Sequence, residues 1–123
     1  MYGYVKVGSA VPKLRVADCV YNKEEILKLV EAAAAKQVRV LSFPELSVTG
    51  YTCADLFFQT PLLHAAEQAI QEIAEATEAL NIFLLIGAPI AVDNQMFNCA
   101  VALYKGKLLG IVPKTHIPNY LSL

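Results

Sequence analysis

Between residues 61 and 80 apolar side chains return at helical spacing, with Leu62, Ala66, Ala69, Ile70, Ile73, Ala74 and Leu80, joined by Thr77, on one side and Glu67, Gln71, Glu75 and Glu78 on the other. This amphipathic stretch stands between two short β-rich runs, residues 38–43 and 82–86. A helix enclosed by strands restricts the chain to an α/β arrangement, because its apolar stripe has to be buried against the sheet that those strands form. The same pattern occurs once more upstream. Residues 4–11 read as a first strand, Asn22 offers a helix N-cap with Glu25 three positions on, and Ile26, Leu29, Val30, Ala33 and Ala34 form the core stripe of a helix running to about Lys36.

Punctuation residues set the boundaries. Pro44 stops the second strand, Pro61 is suited to the first turn of a helix, and Asn81 marks its end. Residues 82–86 form a continuous apolar run bounded by Gly87, as expected of a strand covered on both faces. Residues 98–104 and 108–112 then flank Lys105-Gly106-Lys107 and read as an antiparallel hairpin. A short helical turn is expected over residues 54–58. There is no repeat, linker or low-complexity segment, so the expectation is one α/β unit with a mixed sheet, helices on one face and a hairpin at the end.

Composition narrows the possible partners. Ten Lys and Arg against eleven Asp and Glu give a formal charge of −1, which provides no basic field for nucleic acid and makes a small molecule the expected substrate class. The longest apolar run, residues 82–92, has 11 residues and includes Gly87 and Pro89, whereas a membrane span needs about 20. The N-terminus lacks the pattern of a secretory signal. Three cysteines without metal-type spacing fit a reducing cytoplasm, and neither metal nor cofactor is expected in this chain. Hydrophobic residues make up 56%, above the usual range of about 45–50%, which suggests a buried sheet or apolar surface that needs a cover.

Two polar segments interrupt this apolar chain. Phe43-Pro44-Glu45-Leu46 runs into Thr49-Gly50-Tyr51, and 69 residues after Glu45 comes Lys114 in Pro113-Lys114-Thr115-His116-Ile117-Pro118-Asn119-Tyr120. Each puts one ionisable group after a strand-like run, where catalytic groups gather. By position alone Glu45 reads as a solvated loop acid or a helix cap, and Lys114 as a surface lysine. Their neighbours favour more specific roles. Pro44 and Gly50 shape a tight turn, Phe43 and Tyr51 can desolvate the acid and raise its basicity, and Pro113 and Pro118 hold Lys114 in a rigid non-helical segment.

Taken together, these residues carry a resemblance. The series Leu41-Ser42-Phe43-Pro44-Glu45-Leu46, Thr49-Gly50-Tyr51, Ala54-Asp55-Leu56-Phe57, Gly87-Ala88-Pro89, Asn98-Cys99-Ala100, Gly106-Lys107-Leu108-Leu109-Gly110 and Lys114 through Tyr120 resembles the nitrilase superfamily of carbon-nitrogen hydrolases. Within it the wording is most similar to the glutaminase domain of glutamine-dependent NAD synthetases. The resemblance implies an αββα sandwich and a Cys-Glu-Lys mechanism, in which a thiolate attacks an amide and ammonia leaves. It matches Glu45 to the general base and Lys114 to the cation that stabilises the oxyanion. Tyr51 and Tyr120 match residues that line the glutamine pocket.

It also implies parts with no counterpart in this sequence. The family continues with a loop holding Phe and a second Glu, and with a strand ending in the nucleophilic Cys. The expectation is therefore a single incomplete domain over 1–123, inactive alone, with the nucleophile-bearing half and an ATP- and Mg-using synthetase domain absent. Cys19, Cys53 and Cys99 read as structural or incidental thiols, Cys53 being the nearest to Glu45 in sequence. His64 is expected on a helix surface and His116 as an orienting neighbour of Lys114. A half sandwich leaves an apolar face and an open edge, so self-association is expected. A piece of a stand-alone amidase and a noncatalytic binding module remain alternatives. No Gly-x-Gly-x-x-Gly or P-loop follows a strand, which speaks against a nucleotide-binding domain.

Overall fold

The computed structural model describes residues 3–50, 60–93 and 95–117. Its elements follow in the order β1 (Val7–Ser9), α1 (Cys19–Ala35), β2 (Val40–Ser42), α2 (Thr60–Ala76), β3 (Phe83–Val92), β4 (Gln95–Tyr104) and β5 (Lys107–Ile117). The five strands form one sheet in sequential order, parallel from β1 to β3 and antiparallel from β3 to β5. Two parallel crossovers step in the same direction, which places α1 and α2 on one face because such connections are right-handed. The helices touch each other there, and α2 packs on β3.

The helix stripes behave as their spacing requires. Ile26 and Val30 of α1 and Ala66, Ala69 and Ile73 of α2 are buried against Leu41, Leu84, Ile86, Val101 and Leu103 of the sheet. Each fully buried Ile or Leu among them contributes about 1.5–3 kcal/mol relative to exposure. Glu67, Gln71, Glu75 and Glu78 remain exposed. α2 ends four residues before Leu80, since the Thr77 hydroxyl donates back to Ile73 O at 2.8 Å and closes the last turn. Asn81 does more than mark the helix end, because its Oδ1 accepts from the Tyr104 hydroxyl at 2.6 Å.

Several boundaries differ from the sequence reading. The first strand is only Val7–Ser9, and β2 is only Val40–Ser42. α1 is capped by Asp18, whose side chain accepts from Tyr21 N at 3.0 Å, so Asn22 lies inside the helix instead of capping it. β3 does not stop at Gly87 but passes through it to Val92. Along β3 half-buried Phe83 and Leu85 alternate with buried Leu84 and Ile86, so one face is covered by helices and the other is less enclosed. The hairpin pairing also extends beyond expectation, because β3 and β4 are antiparallel neighbours from Phe83↔Tyr104 to Val92↔Gln95. At the next turn Lys105 and Gly106 have φ of 50° and 83°, the left-handed pair that suits a two-residue hairpin loop.

The short helical turn expected over residues 54–58 lies outside the described residues. Among the described residues no helix is long and apolar enough to cross a membrane.

Candidate active site

Glu45 and Lys114 line one cavity of about 150 Å3, together with Ser42, Phe43, Leu85, Ile86, Gly87, Cys99 and Ala100. Its two ionisable walls are built in different ways.

The Glu45 wall is a turn seated on β3. Pro44 has no N–H to extend a ladder, and the chain leaves the sheet after Phe43 N donates to Leu85 O at 2.9 Å. It returns where Val48 N donates to Gly87 O at 3.2 Å. In between, Leu46 adopts φ 53° and the Ser47 hydroxyl donates to Pro44 O. Leu46 O then accepts from Thr49 N at 3.2 Å and from Gly50 N at 2.8 Å. Gly50 has φ 83° and lies against Val16, a conformation and a closeness that favour glycine.

Asn22 fixes the far end of this turn. Its side chain is fully buried, accepts from Arg15 N at 2.7 Å, and donates to Arg15 O at 2.8 Å and Val48 O at 2.9 Å. Ala17 N adds a bond to Thr49 O at 2.7 Å. One helix residue thus ties the segment before α1 to the loop that carries Glu45. The sequence singles out the right residue here but suggests a cap where the structure has a clamp.

The Lys114 wall lies within β5, a correction to its expected place in a loop after the strand. Asn98 pairs with Thr115 while Cys99 pairs with Pro113, so Lys114 is an extra residue opposite the Asn98–Cys99 step. Such a bulge re-aims a side chain and breaks the ladder locally. Pro113 beside it has no N–H to donate, as befits an edge strand. Lys114 is exposed, whereas Glu45 is half-buried. Next to the bulge Asn98 is 3% exposed, and among the described residues its Oδ1 has no hydrogen-bond partner.

The third wall is Cys99, which distance along the sequence ranks behind Cys53. Cys53 lies outside the described residues, as do Tyr51 and Tyr120. Cys99 is buried, its Sγ approaches Phe97 O at 3.7 Å, and burial pushes its thiol pKa up. A nucleophilic thiol requires the opposite shift, so Cys99 forms a neutral side of the cavity. Cys19 is buried at the start of α1, within the helix-covered core. His116 is exposed and meets the Phe97 ring edge-on, with centroids 5.4 Å apart. His64 is exposed on α2. Among the described residues no group of three or more His, Cys, Asp or Glu side chains gathers in a way that would hold a metal.

A mixed sheet with its helices on one face, and a cavity lined by an acid and an amine over its parallel-to-antiparallel junction, give an α/β unit with a candidate active site. The chain belongs to the carbon-nitrogen hydrolase family, whose model matches residues 6–122. It is 33% identical over 118 residues to a glutamine-dependent NAD(+) synthetase of Mycobacterium leprae, a match covering 96% of this chain and 17% of that protein. The crystal structure of a glutamine-dependent NAD(+) synthetase from Cytophaga hutchinsonii superposes with a TM-score of 0.85 at 29% identity, over 94% of this chain and 20% of that one. An amidase from Nesterenkonia sp. shares the fold, with a TM-score of 0.70 at 22% identity over 86% of this chain and 41% of that one. The chain therefore spans under a fifth of the length of the curated synthetase it matches.

Proposed function

We propose that this chain supplies the base and the cation of a glutamine-hydrolysing site that releases ammonia. The observation that carries the reading is the meeting of Glu45 and Lys114, 69 residues apart in sequence, on one small cavity. In this reading a thiolate attacks the side-chain amide carbon, ammonia leaves, and water hydrolyses the resulting thioester to glutamate. Glu45 takes the thiol proton, passes it to the departing nitrogen so that ammonia leaves, and as a carboxylate again activates the water. Lys114 faces the oxygen on which charge develops in each tetrahedral intermediate.

The attacking thiol is neither Cys19 nor Cys99, for the reasons of burial given above. As the family resemblance implies, it comes from a further segment of a longer protein in which the ammonia passes to an ATP- and Mg-using synthetase domain, and Cys53 is the thiol of this chain that the test has to exclude. By the family resemblance Tyr51 and Tyr120 are assigned to glutamine binding in the same proposal. Cytoplasmic placement and self-association through apolar sheet surface belong to the same proposal.

The purified chain incubated with glutamine tests the division of labour. No ammonia above the buffer rate is expected, while glutamine shifts the NMR signals of Glu45 and Lys114 and leaves those of α1 in place. Turnover that Cys53→Ser or Cys99→Ser abolishes would overturn the assignment of the thiol. Signals at Glu45 and Lys114 that ignore glutamine and small aliphatic amides alike would count against the site itself.

A further inference from the structure

Of the strand glycines, Gly87 alone has backbone pressed onto it. A Cβ built there would meet Pro44 O at 2.6 Å and Glu45 C at 2.8 Å, and would fall closer still to Leu46 N. These are main-chain atoms, which cannot swing aside as the end of a flexible side chain can. Gly110 in β5 has nothing within 4 Å of the same position, and Gly8 in β1 meets only side-chain atoms at 3.5 and 3.6 Å. The close approach also has a topological reason. β2 pairs with β3 only as far as Ser42↔Leu85, so beyond Leu85 the side of β3 that β2 would have occupied is filled by the turn from Phe43 to Val48. One of that turn's two bonds to β3 goes to Leu85 O and the other to the carbonyl of Gly87 itself.

We propose that Gly87 is the positioning residue for Glu45: its lack of a Cβ lets the Pro44–Leu46 backbone rest on β3, at the height where Glu45 shares a cavity with Lys114. Gly87 pairs with Ala100 of β4, one residue from the Asn98–Cys99 step that faces the Lys114 bulge. A turn lifted by one methyl moves the acid away from the strand that carries the amine. The roles of base and cation rest on the reading above, but the placement does not, and the test reads placement without turnover.

The test measures how far Glu45→Gln displaces the Lys114 side-chain NMR signals in the full 123-residue chain, first in the natural background and then in two glycine variants. In Gly110→Ala the displacement stays unchanged. In Gly87→Ala it falls at least about twofold, as expected when two groups that were coupled are separated. A merely structural glycine would lower the melting temperature and leave that displacement whole, and that result overturns the proposal. Where Gly87→Ala does not fold in plain buffer, trimethylamine N-oxide, which is excluded from protein surface and favours burial, is added and the same displacement is read. A variant that stays unfolded even then also overturns the proposal, since the contact would be holding the entire fold and not setting one residue. Loss of the coupling together with Glu45 and Lys114 signals that ignore glutamine and small aliphatic amides would count against the hydrolase reading and leave the role of Gly87 standing.

Discussion

The two charged walls of the cavity contrast in how firmly each is held. Glu45 sits in a turn whose backbone is bonded to β3 at both ends, closed by Ser47, and anchored from behind by the buried amide of Asn22. Lys114 sits at a bulge in an edge strand whose residues, apart from Gly110 and Ile117, are exposed along its length. The acid is over-determined, whereas the amine is placed by register alone. A base has to meet its proton within hydrogen-bond reach, while a cation acts over a longer range, so the firmer hold lies on the group whose geometry matters more.

The largest break in this contrast is expected at Asn22. Replacing it by Ala leaves Val48 O, Arg15 O and Arg15 N without their side-chain partner. A buried polar group left unpaired costs about 1–3 kcal/mol, so a loss of about 3 kcal/mol overall is expected in a denaturant titration. Because the bonds are to the loop, amide exchange at Val48 and Thr49 should rise more than at Leu84. A uniform rise across the sheet would show that Asn22 serves the whole core and not the turn.

Next in size is the open edge. Leu108, Leu109, Ile111 and Val112 of β5 are between 42% and 58% exposed, and among the described residues β5 has β4 as its single sheet neighbour. Such an edge templates pairing with another chain unless charge blunts it. Light scattering should show a concentration-dependent rise in mass, and the double change Leu109→Lys with Ile111→Lys should weaken association by about tenfold or more. A natural chain that stays monomeric at every concentration would dismiss self-association through β5.

The same contrast explains what the sequence discloses and what it withholds. The crossovers and both helix stripes are legible, because helical spacing and β-rich runs report local structure that the tertiary contacts then use. The turn at Glu45 is legible too, through Pro44 and Gly50. Asn22 reads as a cap because an Asn near a helix start commonly is one, and only the approach of Val48, 26 residues away, makes it a clamp. Gly87 reads as a boundary because glycine inside an apolar run signals either an end or a close approach, and the sequence does not say which. The bulge at Lys114 depends on register across two strands, which no local pattern records. Cys99 looks remote from Glu45 by its distance in sequence, a distance that the sheet removes.

A smaller effect should appear at Cys99. Burial raises its thiol pKa in the folded chain, so the unfolded chain ionises first as pH rises. The stability tied to the neutral thiol is fully present below the unfolded value of about 8.5 and declines above it. The melting temperature should therefore fall more steeply above that pH in the natural chain than in Cys99→Ala, whatever their difference at neutral pH. Equal slopes would mean that Cys99 is better solvated than its place in the cavity wall implies.

The smallest change in stability is expected at Lys114, where it is also the most telling. An exposed side chain at a bulge contributes little to folding, and Lys114→Ala should shift the unfolding free energy by under about 0.5 kcal/mol. On the proposed reading the same change removes the group that faces the oxyanion, so glutamine should no longer shift the Glu45 signals as it does in the natural chain. Stability and ligand response would then separate at Lys114, whereas at Asn22 they should fall together, since there the fold and the placement of the acid depend on the same hydrogen bonds. If Lys114→Ala instead unfolds the chain, the bulge is part of the fold's framework and the contrast between the two walls disappears.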